Sequence, residues 1–150
     1  MPWIDTRFGR LEYDESCVVE FPAALPGFED ERAFVLLDRP AHRPVLFLQS
    51  IQQADLCFLT LPVVAVDPQY QPALSEDDER ILGLEPETAA RADLLWLAIL
   101  CLAGEDGPTA NLLGPLVIDR QSRRGVQAVR VDQVYSARHP IPLEEPASCS

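Results

Sequence analysis

Fourteen prolines are scattered through this chain of 150 residues, and between them run short stretches rich in β-branched and aromatic residues. Proline removes a backbone donor and clashes with the preceding helical turn, so a chain punctuated this often must build from short strands and brief helices. The first two thirds carry the strand pattern. "GRLEYDE" (Gly9 to Glu15) alternates apolar and polar residues, with Asp14 and Glu15 suited to a turn before "CVVEF" (Cys17 to Phe21). "AFVLLD" (Ala33 to Asp38), "PVLFLQSI" (Pro44 to Ile51) and "CFLTLPVVAV" (Cys57 to Val66) follow, each bounded by Pro, Asp or Gln. Within the last of these Pro62 cannot donate to a ladder, which predicts an edge or a bulge there.

One short helix is predicted at "SEDDERIL". Ser75 can accept from the free amides of the first turn, Glu76, Asp77 and Asp78 complement the positive end of the helix dipole, and Gly83 is a natural stop. For "DLLWLAILCL" (Asp93 to Leu102) periodicity alone fits a buried strand or a buried helix, and "TAARA" before it favours helix locally. The break from Gly104 to Pro108 and the surrounding strands favour a strand. "PLVID" and "GVQAVRV" (Gly125 to Val131) complete the pattern as a hairpin whose tip carries Arg120, Arg123 and Arg124. Seven or so short strands with turns between them predict an antiparallel barrel or sandwich with minor helices. The length suits one domain, over residues 1–140, followed by a loose tail over 141–150 with little to bury.

Twelve basic against 24 acidic residues give a formal charge of -12, which repels phosphate backbones and argues against direct nucleic-acid binding. Every basic residue besides histidine is arginine; no lysine occurs, so Schiff-base chemistry and a Walker-type phosphate lysine are both ruled out. Cys17, Cys57, Cys101 and Cys149 lie far apart without a CxxC pair or a neighbouring histidine, and the first three sit in apolar runs that suit reduced core thiols. No cofactor or metal is implied. The longest apolar run, Leu94 to Ala103, falls short of the ~20 residues of a membrane helix, and no basic-then-apolar leader opens the chain. The expectation is a soluble cytoplasmic protein.

"YSARHP" (Tyr135 to Pro140) gathers the side chains that catalysis often uses, and Ser136, His139 and Asp132 name a conceivable acyl-transfer triad. No GxSxG elbow or glycine-rich oxyanion loop accompanies it, and His42 and His139 are the only imidazoles in the chain. The favoured reading has Tyr135 packing its ring while Arg138 and His139 donate hydrogen bonds that tie a terminal segment down. Glu76 to Glu79 lack EF-hand spacing and read as a solvated helix start. Asn111, in "TANLL" after the Gly107-Pro108 turn, suits satisfaction of buried backbone groups. The strand at Leu94 to Leu102 carries apolar residues on both faces, so one face needs cover from a helix, a loop or another protein.

Five stretches carry a resemblance: "IDTRFG" (Ile4 to Gly9), "FPAALPGF" (Phe21 to Phe28), "LQS" (Leu48 to Ser50), "TANLLGPLVID" (Thr109 to Asp119) and "YSARHP". In order and position they resemble the flagellar assembly factor FliW family, from about Ile4 to Pro140. Gly114, where the family often has alanine, and the cysteine-containing tail depart from its pattern. The resemblance implies a small, acidic, all-β and mainly antiparallel domain, barrel-like with one or two short helices, without enzymatic activity. It also implies that the chain binds CsrA, an RNA-binding translational repressor, and relieves its silencing of flagellin messenger RNA, with flagellin as competing partner.

On that basis the expected contact surface joins an apolar patch of Leu95 and Ile99, with Phe58 and Gln52 beside them, to carboxylates Glu76, Asp77 and Asp78 that oppose RNA. Asn111, Tyr135, Arg138 and His139 are assigned to fold closure or partner contact. The alternatives are a flagellin-specific chaperone without a CsrA role, and a small hydrolase using Ser136 and His139.

Overall fold

The computed structural model describes residues 1–6, 9–89, 91–105, 107–132 and 134–141. Its elements are β1 (Trp3–Thr6), β2 (Gly9–Glu12), β3 (Val18–Glu20), β4 (Ala33–Asp38), β5 (Leu46–Ser50), β6 (Cys57–Pro62), α1 (Val63–Val66), α2 (Glu76–Ile81), α3 (Pro86–Ala89), β7 (Leu94–Cys101), β8 (Thr109–Ala110), β9 (Leu116–Asp119), β10 (Arg124–Gln127) and β11 (His139–Pro140). Strands β3 to β7 pair in sequence order, β10 joins β3 to β9, and β9 pairs with β7, so seven strands close on themselves. The expected β-barrel is therefore present. Its ladders are antiparallel except at one seam, where β10 meets β3 in parallel at Arg124 and Glu20. Closure removes the free edges that β3 and β10 would otherwise offer to other chains. β8 and β11 extend the sheet beyond β7, and β1 and β2 form a separate hairpin.

Alternation along the strands fills the barrel. Val19, Phe34, Leu48, Leu97, Leu116 and Ile118 are buried in one cluster, and the loop after β3 adds Phe21 and Leu25. The outward side chains of β7 are covered by the chain itself. Leu61, Val63, Val66, Tyr70, Ala98, Ala110 and Leu112 form a second buried cluster, with Trp96, Leu100, Tyr135 and Ile141 packed against it. Helix α2 closes a third, where Leu82 is buried with Val117, Val126 and Ala128.

The predicted long strand at Cys57 to Val66 needs a correction. It ends at Pro62, pairs in register with Leu97 on an interior barrel strand rather than at a free edge, and then turns into α1. β-Branched valines favour strand locally, but a helical turn puts Val63 and Val66 on one side, where both are buried against the outside of β7. The predicted helix at Ser75 forms as expected. Ser75 Oγ accepts from the Asp78 N–H at 3.1 Å, while past the helix the N–H groups of Gly83 and Leu84 donate to the carbonyls of Arg80 and Glu79, with Gly83 at φ +75°. Ser75→Ala is expected to cost about 1 kcal/mol through loss of that cap, read as a lowered urea midpoint at unchanged slope; an unchanged midpoint would remove the cap from the account.

Three thiols are displaced from where the sequence suggested. Cys17 and Cys101 are exposed and Cys57 is half-buried, because Cys17 ends a 3₁₀ turn, Cys101 is the last residue of β7, and Cys57 sits on the outward face of β6. Ile141 is held by its N–H to the Pro108 carbonyl at 3.3 Å and by the second cluster. The expected loose tail beyond it, with Cys149, lies outside the described residues. No described helix is long and apolar enough to cross a membrane.

Candidate partner-binding surface

The apolar patch expected around β7 is turned inward. Leu95, Ile99 and Phe58 do share a face, as alternation requires, but that face lines the barrel and all three pack against the first cluster. The Phe58 ring meets Phe28 edge-on at 5.3 Å and lies 5.9 Å from Phe34. Barrel closure decides which side of β7 is interior, and the second apolar face is covered by α1 and by Tyr70, so the strand does not require a foreign protein. Gln52 lies outside this group. It is exposed in the loop after β5, where its Oε1 accepts from the Arg32 N–H at 3.0 Å and its own N–H donates to Ser50 Oγ at 3.1 Å.

The acidic helix faces solvent. Leu82, just past its end, is buried and Ile81 packs beside it, leaving Glu76 and Asp77 with 90% and 81% of their side-chain surface exposed. Asp78 and Glu79 are half-buried. Arg80 pairs with Asp77 at 2.8 Å and approaches Glu76 at 3.9 Å, so four carboxylates and one guanidinium leave three net negative charges on this helix. Exposed pairs of this kind contribute little stability, and their main effect is on the field outside the protein. Among the described residues no group of three acidic, histidine or cysteine side chains is arranged to hold a metal.

Ser136, His139 and Asp132 each have other partners. Ser136 Oγ accepts from the Arg138 N–H at 3.0 Å, His139 Nδ1 contacts the Pro140 carbonyl at 2.8 Å, and Arg130 holds the Asp132 carboxylate at 2.6 and 3.1 Å. Among the described residues no hydrogen bond joins the three. Tyr135 takes the role of a closing residue: its hydroxyl accepts from the Gln71 N–H at 2.9 Å and its ring stacks 4.5 Å from Tyr70. His139 belongs to β11, paired with Ala110, and the Arg138 side chain is exposed. Asn111 Oδ1 accepts from the Gly114 N–H at 2.8 Å, which fixes the turn into β9.

The arginines at the β9–β10 tip are also engaged. Arg120 approaches Asp93 at 3.4 Å, Arg123 donates to the Glu15 carbonyl, and the Arg124 guanidinium lies over Gly83.

Two features escaped the sequence reading. One is a cluster around Arg130, whose side chain is only 6% exposed and which joins Asp132, two residues on, to Tyr70 and Gln71, about 60 residues away in sequence. The other is a groove of about 430 Å³ between the β1–β2 hairpin and the outer surface of β4, β5 and β6, floored by Leu37, Phe47 and Cys57. The two-faced apolar character noted for β7 also holds for "FVLLD" and "VLFLQ", and the same reasoning applied there points to this surface.

Comparison with known proteins places these features in a family. Residues 3–141 match the family model described as FliW protein. The flagellar assembly factor FliW of Azoarcus sp. (strain BH72) is 37% identical over 129 residues, covering 81% of this chain and 86% of that protein. That of Desulfitobacterium hafniense (strain DSM 10664 / DCB-2) is 35% identical over 136 residues, covering 91% and 88%. That of Syntrophomonas wolfei is 32% identical over 142 residues, covering 94% and 88%. A crystal structure of the flagellar assembly factor FliW superposes with a TM-score of 0.80 at 31% identity, over 92% of this chain and 95% of the other.

Proposed function

The chain belongs to the FliW family of flagellar assembly factors, and on that premise we propose that it regulates flagellum assembly by binding a protein. In this reading it binds the translational repressor CsrA, blocks repression of flagellin messenger RNA, and gives CsrA up when flagellin competes. The family match along nearly the whole chain carries the reading. The charge of -12 and the solvent-facing carboxylates of α2 support it physically. A negative domain is drawn to a basic RNA-binding surface, which speeds encounter, and once seated it opposes phosphate at the same surface.

The test is calorimetric titration of this protein into CsrA from the same bacterium, with and without a flagellin-leader RNA. Saturable binding that releases the RNA is expected. The triple variant Glu76→Gln, Asp77→Asn, Asp78→Asn is expected to slow association about threefold to tenfold at low salt, with a smaller loss at high salt, because exposed charges act mainly on encounter and are screened. Unchanged association and RNA release in this variant would remove the electrostatic part. No binding to CsrA alongside tight binding to flagellin would leave the flagellin chaperone as the function.

A further inference from the structure

We propose that the groove beneath the β1–β2 hairpin is a binding site for an acidic, apolar segment of a partner protein, separate from the carboxylate face of α2. The floor is apolar, made by the outward residues Leu37, Phe47 and Cys57, and Leu11 of the hairpin lines the same space. At about 430 Å³ the groove has room for one or two large side chains.

Its charge runs opposite to that of the molecule. Among the described residues that line it, the titratable side chains besides the Cys57 thiol are Arg10, Arg39 and His42, with no carboxylate among them, in a chain that has 24 acidic and 12 basic residues. The Arg10 guanidinium stacks 4.1 Å over the Trp3 ring and the His42 ring meets Phe47 edge-on at 5.5 Å, so both side chains flank aromatic surface. Among the described residues neither Arg10 nor Arg39 makes an ion pair, although Asp5 stands opposite Arg10 in the hairpin. Asp38, next to Arg39, is held by Arg43 at 2.9 Å. Two guanidinium groups with no carboxylate partner among the described residues, at the rim of an apolar groove, select carboxylates beside an apolar side chain.

A buried acceptor adds a backbone element. Gln49 lines the groove and is 3% exposed. Its Nε2 donates to the carbonyls of Ser50, Gln53 and Ala54 at 3.1, 3.4 and 3.2 Å, and among the described residues no donor reaches its Oε1. Buried amide oxygens normally have a donor, and an N–H of an extended peptide supplies one. The site does not depend on CsrA being the partner, since its preference is for a negative segment and not for a basic surface.

The test uses the full chain with two heptapeptides carrying a neutral fluorophore, one alternating Glu with Leu and Phe, the other with Lys in place of Glu. The acidic peptide is expected to bind by fluorescence anisotropy and to slow N-ethylmaleimide modification of Cys57, but not of Cys17 or Cys101, as located by mass spectrometry. Reversing both rim charges (Arg10→Glu with Arg39→Glu) is expected to raise its Kd about tenfold or more, the equivalent of ~1.4 kcal/mol. Both sites are exposed, so circular dichroism should match the parent. Equal binding of the lysine peptide, an unchanged Kd in the double variant, or no protection of Cys57 would each overturn the proposal. Faster Cys57 modification in a Glu144→Gln/Glu145→Gln variant of the free protein would assign the groove to the chain's own tail. Protection that grows with protein concentration together with a doubled mass would assign it to a second copy, and either result overturns the partner segment.

Discussion

Gly125→Ala is expected to lower stability by about 1–3 kcal/mol, or roughly 3–10 °C in melting temperature for a chain of this size, although it adds only a methyl group. A Cβ at Gly125 stands 2.5, 2.8 and 3.0 Å from Cε1, Cζ and Cδ1 of Phe21. Real Cβ atoms do not approach ring carbons so closely, so the ring or the strand must move. The ring has little freedom: Phe21 is fully buried and meets Phe34 edge-on at 5.6 Å. Gly125 is not in the left-handed region, so the cause is close approach and not backbone strain. The contact lies at the parallel seam where β10 reaches β3 and the Glu20 N–H donates to the Arg123 carbonyl at 2.9 Å. Overpacking there pushes apart the two strands that close the barrel.

The companion variant Phe21→Leu is expected to cost about 1–3 kcal/mol by leaving space unfilled. In the double variant the methyl group enters that space, so the two losses combine to less than their sum by about 1 kcal/mol or more. Urea denaturation of the four proteins reads this directly. Additive losses, or a neutral Gly125→Ala, would show that the glycine is not there to admit the ring.

The barrel was legible because its determinants are local: alternation, proline and turn residues mark each strand, and a serine before a run of acids marks α2. What alternation cannot tell is which of two apolar faces is interior. Leu95 and Ile99 were expected outside and lie inside, while Trp96, Ala98 and Leu100 face α1 and Tyr70. That choice belongs to closure through β9 and β10, which are distant in sequence. The same limit explains α1, where valines that favour strand take a helical turn because burial of Val63 and Val66 outweighs a small propensity term. It also explains the groove, since Arg10 comes from the hairpin, Arg39 and His42 from the connection after β4, and Cys57 from β6. No single stretch of sequence contains that site. Helix α2, whose carboxylates lie within one turn, was fully legible.

Arg130→Ala is expected to cost about 1–3 kcal/mol, because it removes a buried side chain packed on the Tyr70 and Tyr135 rings together with its charge-assisted hydrogen bonds. With 6% of its side chain exposed, Arg130 donates to the Gln71 carbonyl at 2.6 Å and to the Tyr70 hydroxyl at 3.4 Å while Asp132 holds its other nitrogens. The guanidinium also lies 4.8 Å from the Tyr135 ring centroid and 5.5 Å from that of Tyr70. This clasp secures the Tyr70 and Tyr135 rings, which cover the outward face of β7 in the second cluster. Its removal is therefore expected to increase binding of a hydrophobic dye as well as to lower the melting temperature. Arg130→Lys should recover only part of the loss, since an ammonium cannot reach both Asp132 and Gln71 with the planar fork that the site uses. The Arg130 hydrogen bonds hold the Asp132 carboxyl below its usual range. A carboxyl with a depressed folded pKa contributes stability above the ordinary carboxylate range, and that contribution is lost as pH falls through its folded value. Stability of the parent should thus fall more steeply below about pH 4 than that of Asp132→Asn, which has no such proton to bind. Matching acid slopes in the two proteins, or an Arg130→Ala variant that melts with the parent, would show that the clasp does not hold the cover over β7.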